Sequence, residues 1–330
     1  MSNQFQGYQI NKTEDGQTCE LKQLSDDDLM EGDVTVKVEY STLNYKDGLA
    51  LTGSSPVVRK FPLTPGVDSC GTVLSSESEK FAVGDRVILN GFGVGEVHSG
   101  GFAQKARFKS EWLVKLPKGI EPRQAMAIGT AGYTSMLCVM ALQNHGIKPD
   151  DGDILVTGAS GGVGSVAIAL LGKLGYRVVA TTGRMSEEGF LKGLGAAEVK
   201  DRSEFADKAR PMAKELWAGA IDVAGGNTLA NVISQIKYGG AIAACGLAES
   251  MSLPTTVAPF ILRGITLYGI DSVMAPIAKR EKAWARLAQD LDMNLLEDLS
   301  FDLDFADLPQ AGADILAGKI RGRAIIKIPE

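Results

Sequence analysis

The 330-residue sequence predicts a two-domain α/β protein, with a β-rich first part followed by a doubly wound parallel sheet. Three observations carry this. At roughly 150 residues per domain, the length gives about two domains. Before about residue 120, short runs alternate apolar and polar side chains between turn residues, the texture of half-buried strands. After Asp151 the texture changes to continuous apolar runs separated by helical segments, as in strands covered on both faces.

Taken in order, Val34-Thr35-Val36-Lys37-Val38-Glu39-Tyr40 alternates with period two and reads as a strand. Gly71-Thr72-Val73-Leu74, Asp85-Arg86-Val87-Ile88-Leu89 and Trp112-Leu113-Val114-Lys115-Leu116-Pro117 follow, separated by Gly, Ser and Pro clusters. Gly91-Phe92-Gly93-Val94-Gly95 has the composition of a phosphate loop, but among hairpins it reads as a plain flexible loop. Residues 125–142 are the most membrane-like stretch. Gly129, Thr130, Gly132, Tyr133, Thr134 and Ser135 interrupt it, so a buried helix is expected.

The second texture opens with Ile154-Leu155-Val156-Thr157. Residues 163–174 then carry helical spacing that ends at Gly175, and Tyr176-Arg177-Val178-Val179-Ala180-Thr181 is the next strand. A third strand is placed at Glu198-Val199, and apolar runs at 220–224, 241–245 and 265–270 continue the sheet. An amphipathic helix near 281–291 and a closing strand at 323–328 are assigned back to the first domain. The expected division is therefore 1–128, completed by about 274–330, and 129–273.

Charge and cysteine usage narrow the partners. Lys and Arg total 34 against 40 Asp and Glu, a formal net charge of -6, so a nucleic-acid backbone meets no basic field. Cys19, Cys70, Cys138 and Cys245 form no CxxC pair, the pattern of reduced thiols in a cytoplasmic protein. Met1-Ser2-Asn3-Gln4-Phe5-Gln6 has neither a basic nor an apolar region, so no secretory signal is expected. Neither a membrane nor nucleic acid is an expected partner.

Chemistry concentrates in Thr157-Gly158-Ala159-Ser160-Gly161-Gly162-Val163-Gly164-Ser165-Val166-Ala167, between the first strand and first helix of the second part. Gly162-x-Gly164-x-x-Ala167 fits the dinucleotide fingerprint, whose small residues permit a tight turn, close approach of a pyrophosphate and close helix–strand contact. Ser160, Gly161, Gly162 and Val163 are the expected phosphate lining, with the amides at the helix start as the anion site. An NAD-selective site carries Asp or Glu about 20 residues on, to hold the ribose 2′-hydroxyl. Here Thr181-Thr182-Gly183-Arg184 stands instead. No carboxylate is there to repel a 2′-phosphate, Thr181 and Thr182 can donate hydroxyls, and Arg184 can fork onto it; Thr182, Gly183 and Arg184 are the expected contacts. Arg202 offers a second guanidinium or is a solvated surface charge. NADPH is the expected cofactor.

Gly84-Asp85-Arg86-Val87, Gly100-Gly101-Phe102-Ala103-Gln104 and the Gly161-Gly162-Val163-Gly164 turn together resemble the medium-chain dehydrogenase/reductase superfamily. Leu43-Asn44-Tyr45-Lys46-Asp47, Gly129-Thr130-Ala131-Gly132-Tyr133-Thr134 and residues 253–264 are similar to its quinone-oxidoreductase-like group, in particular to bacterial acryloyl-CoA reductases. The likeness covers nearly the whole chain. It implies a GroES-like catalytic domain, a Rossmann domain, a homodimer, and reduction of a carbon–carbon double bond by NADPH. A catalytic zinc needs three protein ligands. Where zinc-dependent members carry a Cys and a Gly-His-Glu motif, this chain has Asn44-Tyr45-Lys46-Asp47 and Gly66-Val67-Asp68, with only two histidines overall. No metal is expected.

Without a Lewis acid, an already electrophilic alkene such as an enoyl thioester or quinone is favoured over an alcohol. The enzyme then need only position reactants, stabilise an enolate oxygen and deliver a proton. Tyr45 is the catalytic candidate and also a cofactor contact, its phenol being either the proton donor or a ring packed under the nicotinamide. Asn44 and Lys46 are neighbours without an assigned role. By resemblance, Leu247, Ile261 and Ser272 line the nicotinamide side, although Leu247 and Ile261 also suit ordinary core. Arg323, in the basic turn 318–323, reaches the cofactor phosphate or is a solvated charge. Asp222, inside an apolar strand, is read as structural.

The first functional reading is reduction of acryloyl-CoA to propionyl-CoA. A quinone or enone reductase and a non-enzymatic NADPH-binding protein are the alternatives. Arg59, Lys60, Lys105 and Arg107 are available to CoA phosphates. The apolar strand 265–270 suits pairing across a dimer axis.

Overall fold

In the computed structural model, which describes residues 4–330, the chain opens on an antiparallel hairpin of β1 (Phe5–Thr13) and β2 (Gly16–Leu24). Met1–Asn3 lie outside the described residues, and with them half of the segment read for a secretory signal. β3 (Val34–Leu43) extends the alternating run, and α1 (Tyr45–Thr52) follows it directly. β4 (Asp68–Ser76), β5 (Arg86–Asn90), β6 (Lys105–Phe108) and β7 (Leu113–Lys115) complete the first part. Their inward side chains, among them Val34, Val36, Val38, Val73, Leu89 and Phe108, form one buried cluster. Each such aliphatic or aromatic residue stabilises the fold by about 1.5–3 kcal/mol.

The 91–95 segment, read as a plain flexible loop, is packed into the protein. Gly91, Phe92, Gly93 and Gly95 all have positive φ, and Val94 is 1% exposed. Phe92 holds the left-handed conformation because its ring is fixed, stacked 5.9 Å from Trp112 with the Arg280 guanidinium 4.1 Å from its centre. Glycines here serve a packed turn, and composition alone does not separate that use from mobility.

α2 (Pro122–His145) is long and apolar enough to cross a bilayer, yet 89% of its most apolar window is buried inside the protein. Gly129, at φ 49° and ψ -160°, breaks it. Beyond it lie β8 (Ile154–Val156), α3 (Gly162–Lys173), β9 (Val178–Thr182), α4 (Glu188–Gly193), β10 (Ala196–Asp201), β11 (Trp217–Asp222), α5 (Gly226–Gln235), β12 (Ile236–Ala244), α6 (Ala258–Arg263) and β13 (Thr266–Gly269). The six strands are parallel, in the order β10-β9-β8-β11-β12-β13. This is the doubly wound order with its reversal between β8 and β11, and ligands bind such sheets at the carboxyl ends of the strands near that point.

The chain closes with α7 (Ile277–Asp290), α8 (Met293–Asp298), β14 (Ser300–Leu303), α9 (Leu308–Leu316) and β15 (Arg323–Lys327). β15 pairs antiparallel with β3, Ala324 opposite Leu43, and extends the first sheet to β14-β15-β3-β4-β5-β7. Two units result. Unit 1 holds residues up to Thr130 with Ser272–Ala288 and Leu296–Glu330, and unit 2 holds Ala131–Asp271 with Gln289–Leu295.

Candidate functional site

In unit 2 the chain leaves β8 through Thr157 into a turn at Gly158, where φ is +58° and a Cβ would lie 2.2 Å from Val223 Cγ2. Gly161 takes the N-cap position of α3, with only the Gly158 carbonyl oxygen near its missing Cβ, at 3.3 Å. At Gly164 a Cβ would stand 2.5 Å from the Gly158 oxygen and 2.7 Å from Ala159 Cα. Tight turn, open approach and close packing therefore fall to Gly158, Gly161 and Gly164. The frame Gly162-x-Gly164-x-x-Ala167 is corrected at its first position: Gly162 already belongs to the helix and does not make the tight turn. Several small-residue spacings coincide in this run, and only the backbone tells them apart. Ser160, Gly161, Gly162 and Val163 border the start of α3, whose first-turn amides have no intrahelical partner and suit an anion.

β9 ends at Thr182, and Gly183 and Arg184, not a carboxylate, follow it directly. The Thr182 hydroxyl shares a 2.9 Å hydrogen bond with Ser160 Oγ and accepts one from the Arg184 amide at 3.0 Å. The Asp201 carboxylate, at the end of neighbouring β10, accepts from the Ser203 amide at 2.8 Å, and that bond holds it below the usual carboxylate range. Arg202 lies over Gly183, where a Cβ would meet its Nε at 2.5 Å and Cζ at 2.8 Å. Thr182, Gly183, Arg184 and Arg202 are thus brought together with Ser160. The Arg202 guanidinium and the Thr182 hydroxyl on one rim suit a phosphate on the adenosine ribose, with Arg184 next in the chain, and the glycines of the turn suit a pyrophosphate.

Asp222 closes β11, fully buried, with Oδ1 accepting from Thr157 Oγ1 at 2.7 Å and Oδ2 from the Gly225 amide at 2.8 Å. Burial pushes its pKa up to about 6. It ties the start of the glycine turn to the loop after β11, a structural role. Leu247 and Ile261 are 60% and 73% exposed, so neither is core. Ser272 belongs to unit 1, where its carbonyl accepts from Arg280 Nη2 at 3.0 Å.

In unit 1 the turn from β3 into α1 is held by a buried polar cluster. Asn44 is the N-cap of α1, and Asp47 at the third helical position accepts from the Asn44 amide at 2.9 Å, half of a capping box. Asp47 also accepts from the Val67 amide at 2.9 Å. Fully buried beside Asp68, it has its pKa pushed up to about 7, first by desolvation and then by that neighbouring carboxylate. Asp68, equally buried, accepts from Asn90 Nδ2 at 2.6 Å, Asn44 Nδ2 at 2.9 Å, the Thr130 amide at 2.8 Å and the Thr130 hydroxyl. Tyr45, the first residue of α1, is 53% exposed. Lys46 pairs with Glu96 at 2.8 Å, as does Arg59 at 3.2 Å. Lys105 pairs with Asp26 at 2.6 Å.

Arg323 requires a correction. The run 318–323 reads as a basic turn facing a phosphate or solvent, but Arg323 is 3% exposed. It donates from Nε to the Ala127 carbonyl at 2.9 Å, from Nη2 to Thr42 Oγ1 at 2.9 Å and from Nη1 to Asn44 Oδ1 at 3.3 Å. Burial lowers its pKa while Asp68 and Asp47 oppose that shift. Pairing of β15 with β3 draws the side chain inward, which local charge patterning does not reveal.

The same cluster tests the fit of a zinc ion. Asp68 stands in the Gly66-Val67-Asp68 string, but its oxygens are taken by four donors and a guanidinium lies in its field. Among the described residues no group of three or more His, Cys, Asp or Glu could hold a metal. These surroundings do not fit a divalent cation, and no step is derived through one.

The alcohol dehydrogenase GroES-like domain family matches residues 30–118, and the zinc-binding dehydrogenase family matches residues 162–289. Acrylyl-CoA reductase AcuI of Ruegeria pomeroyi is 51% identical, over 98% of this chain and 99% of its own. The chain belongs to the medium-chain dehydrogenase/reductase superfamily. Among solved members of that superfamily, the yhdH oxidoreductase from Salmonella enterica in complex with NADP superimposes with a TM-score of 0.97 at 51% identity, covering 98% of this chain and 100% of that one. The Bacillus subtilis protein yhfP with NAD bound reaches 0.96 at 42% identity, covering 99% and 100%. As in that superfamily, unit 1 carries the GroES-like fold and unit 2 the Rossmann fold.

Sequence reasoning missed Asp47, Asp68, Asn90 and Thr130 as members of the unit 1 cluster. One local signal was present, since Asn44 and Asp47 stand at the spacing of a helix N-cap and its third residue.

Proposed function

We propose that the protein reduces acryloyl-CoA to propionyl-CoA with NADPH, without a metal. The observation that carries this is the 51% identity, over nearly the full length of both chains, to a protein named acrylyl-CoA reductase. Bound NADPH supplies a hydride, with its two electrons, to the β-carbon, the α-carbon takes a proton, and NADP⁺ and propionyl-CoA leave. In our reading Ser160, Gly161, Gly162 and Val163 hold the pyrophosphate at the start of α3. Thr182, Gly183, Arg184 and Arg202 hold the 2′-phosphate, and Leu247, Ile261 and Ser272 flank the nicotinamide. Arg323, buried in unit 1, is withdrawn from the cofactor set.

Charge accumulates on the thioester oxygen as the hydride arrives, so donors must face it. Tyr45 is assigned that contact and the proton, its exposed phenol carrying an O–H that can donate. Tyr45→Phe is expected to lower kcat by roughly 10²–10⁴ if it delivers the proton. The protein is further assigned as a cytoplasmic homodimer joined through β13, an outer strand of its sheet. Sedimentation showing only monomer at micromolar concentration contradicts the dimer.

Comparing kcat/KM for acryloyl-CoA and a benzoquinone, with propionyl-CoA identified as product, tests the assignment. Preference for the quinone overturns the substrate, and tight NADPH binding without turnover on any enoyl-CoA overturns the enzyme.

A further inference from the structure

We propose that Arg323 is a positioning residue for this reaction: a buried guanidinium that, through the Asn44 side chain, fixes the first turn of α1 and so the Tyr45 hydroxyl. The proposal rests on the reading of Tyr45 as a substrate contact.

The Asn44 amide is oriented without ambiguity. Its Oδ1 faces Arg323 Nη1, a group that only donates, at 3.3 Å, and its Nδ2 faces Asp68 Oδ2 at 2.9 Å and Asp47 Oδ2 at 3.2 Å, groups that accept. A flipped amide would set its oxygen against two carboxylates and its NH₂ against a cation. Arg323 cannot drift either, because Ala127 and Thr42 hold its other nitrogens and Thr42 is itself bonded to the Ala324 carbonyl at 2.8 Å. The space is closed as well. A Cβ on Gly129 would lie 2.6 Å from Arg323 Nη2 and 2.8 Å from Asp68 Oδ2.

Charge explains why an arginine is used. Asp47 and Asp68 are both fully buried, and burying one carboxylate beside another without a cation is strongly unfavourable. Arg323 offsets that repulsion and hands its third donor to the residue that precedes Tyr45. Without it, Asn44 loses one anchor, the buried Asp68 loses its cation, and the start of α1 is freed to shift. A misplacement of about 1 Å costs a reaction on the order of 10²-fold. The cofactor-binding residues of unit 2 are untouched, so the loss belongs in kcat.

The test compares Arg323→Met, Arg323→Lys, Asn44→Ala and Tyr45→Phe. Folded Arg323→Met is expected to lose kcat by about 10²-fold. Its NADPH affinity, read by fluorescence titration, and its preference for NADPH over NADH stay unchanged. Added methylguanidinium is expected to restore part of its kcat, and Arg323→Lys to be less impaired. If Arg323→Met does not fold, Asn44→Ala carries the test, with the same kcat loss expected and the Asn44→Ala/Tyr45→Phe double variant no slower than its worse parent. A wild-type kcat in folded Arg323→Met or in Asn44→Ala overturns the proposal, as does a loss confined to NADPH affinity. Tyr45→Phe and Tyr45→Ala at wild-type rates overturn the Tyr45 reading itself. A slow Tyr45→Phe beside an unimpaired Arg323→Met overturns the positioning role alone.

Discussion

Replacing Arg202 by Ala removes one of the two arginines proposed above to hold the 2′-phosphate of NADPH. A charge-assisted hydrogen bond to phosphate contributes about 1.5–3 kcal/mol where it is sheltered. Arg202 is exposed, so solvent screening lowers this to roughly 1–1.5 kcal/mol, about a 5- to 10-fold change in binding. Gly183→Ala acts on the same group indirectly. Its Cβ would fall 2.5 Å from Arg202 Nε, so the flexible arginine must swing off the rim while Thr182 and Ser160 stay in place. Both variants should therefore lower kcat/KM with NADPH, leave it unchanged with NADH, and differ less from the parent at high salt, where exposed charges are screened. Arg184→Ala should shift the same ratio, and the double arginine variant should shift it further. Initial rates with each nucleotide at saturating acryloyl-CoA give the ratio directly. An unchanged NADPH to NADH ratio in Arg184→Ala and Arg202→Ala refutes the reasoning.

Three further outcomes follow from the geometry. Gly164→Ala drives a Cβ against the Gly158 carbonyl, an overpacking cost of about 1–3 kcal/mol, and should weaken NADPH binding by about 10-fold in a fluorescence titration; wild-type affinity contradicts the packing role. Gly129→Ala places a side chain at φ 49° and ψ -160° against Arg323 and Asp68, and should destabilise the protein by at least ~2 kcal/mol in urea unfolding; a neutral effect contradicts it. Asp47 has a folded pKa of about 7, above its ordinary 3.8, so the native state keeps a proton that the unfolded chain releases. Its contribution to stability is therefore present at low pH and lost as pH rises towards 7, by up to ~1.4 kcal/mol per pH unit. Asp68 and Arg323 are the charged groups that face it. Asp47→Asn should flatten urea stability between pH 5 and 7.5, and parallel curves for variant and parent would contradict the assignment.

The parallel sheet was legible because strands buried on both faces leave uninterrupted apolar runs, as at Ile154-Leu155-Val156 and Val178-Val179-Ala180. The hairpin β1–β2 was not, because β2 is largely solvated and reads Gly-Gln-Thr-Cys-Glu-Leu-Lys-Gln-Leu with little apolar content. Its one signal is Asp15-Gly16, the last turn residue and the first residue of β2. The rim at Thr182, Gly183 and Arg184 was legible because the residues are consecutive at the end of one strand. The cluster around Asp68 was not, because its members come from β3, α1, β4, β5, α2 and β15. Arg323 reaches Asn44 across 279 positions of sequence, and its neighbours Lys319 and Arg321 make it resemble a surface charge run. Only strand pairing, which no local pattern encodes, turns it inward.

The most direct measurement is NADPH oxidation by the purified protein with acryloyl-CoA, before and after exhaustive treatment with a metal chelator. The expected result is stoichiometric conversion to propionyl-CoA at a rate the chelator leaves unchanged. Activity that disappears on chelation and returns with zinc, or NADPH that is bound but never oxidised in the presence of acryloyl-CoA, would contradict it.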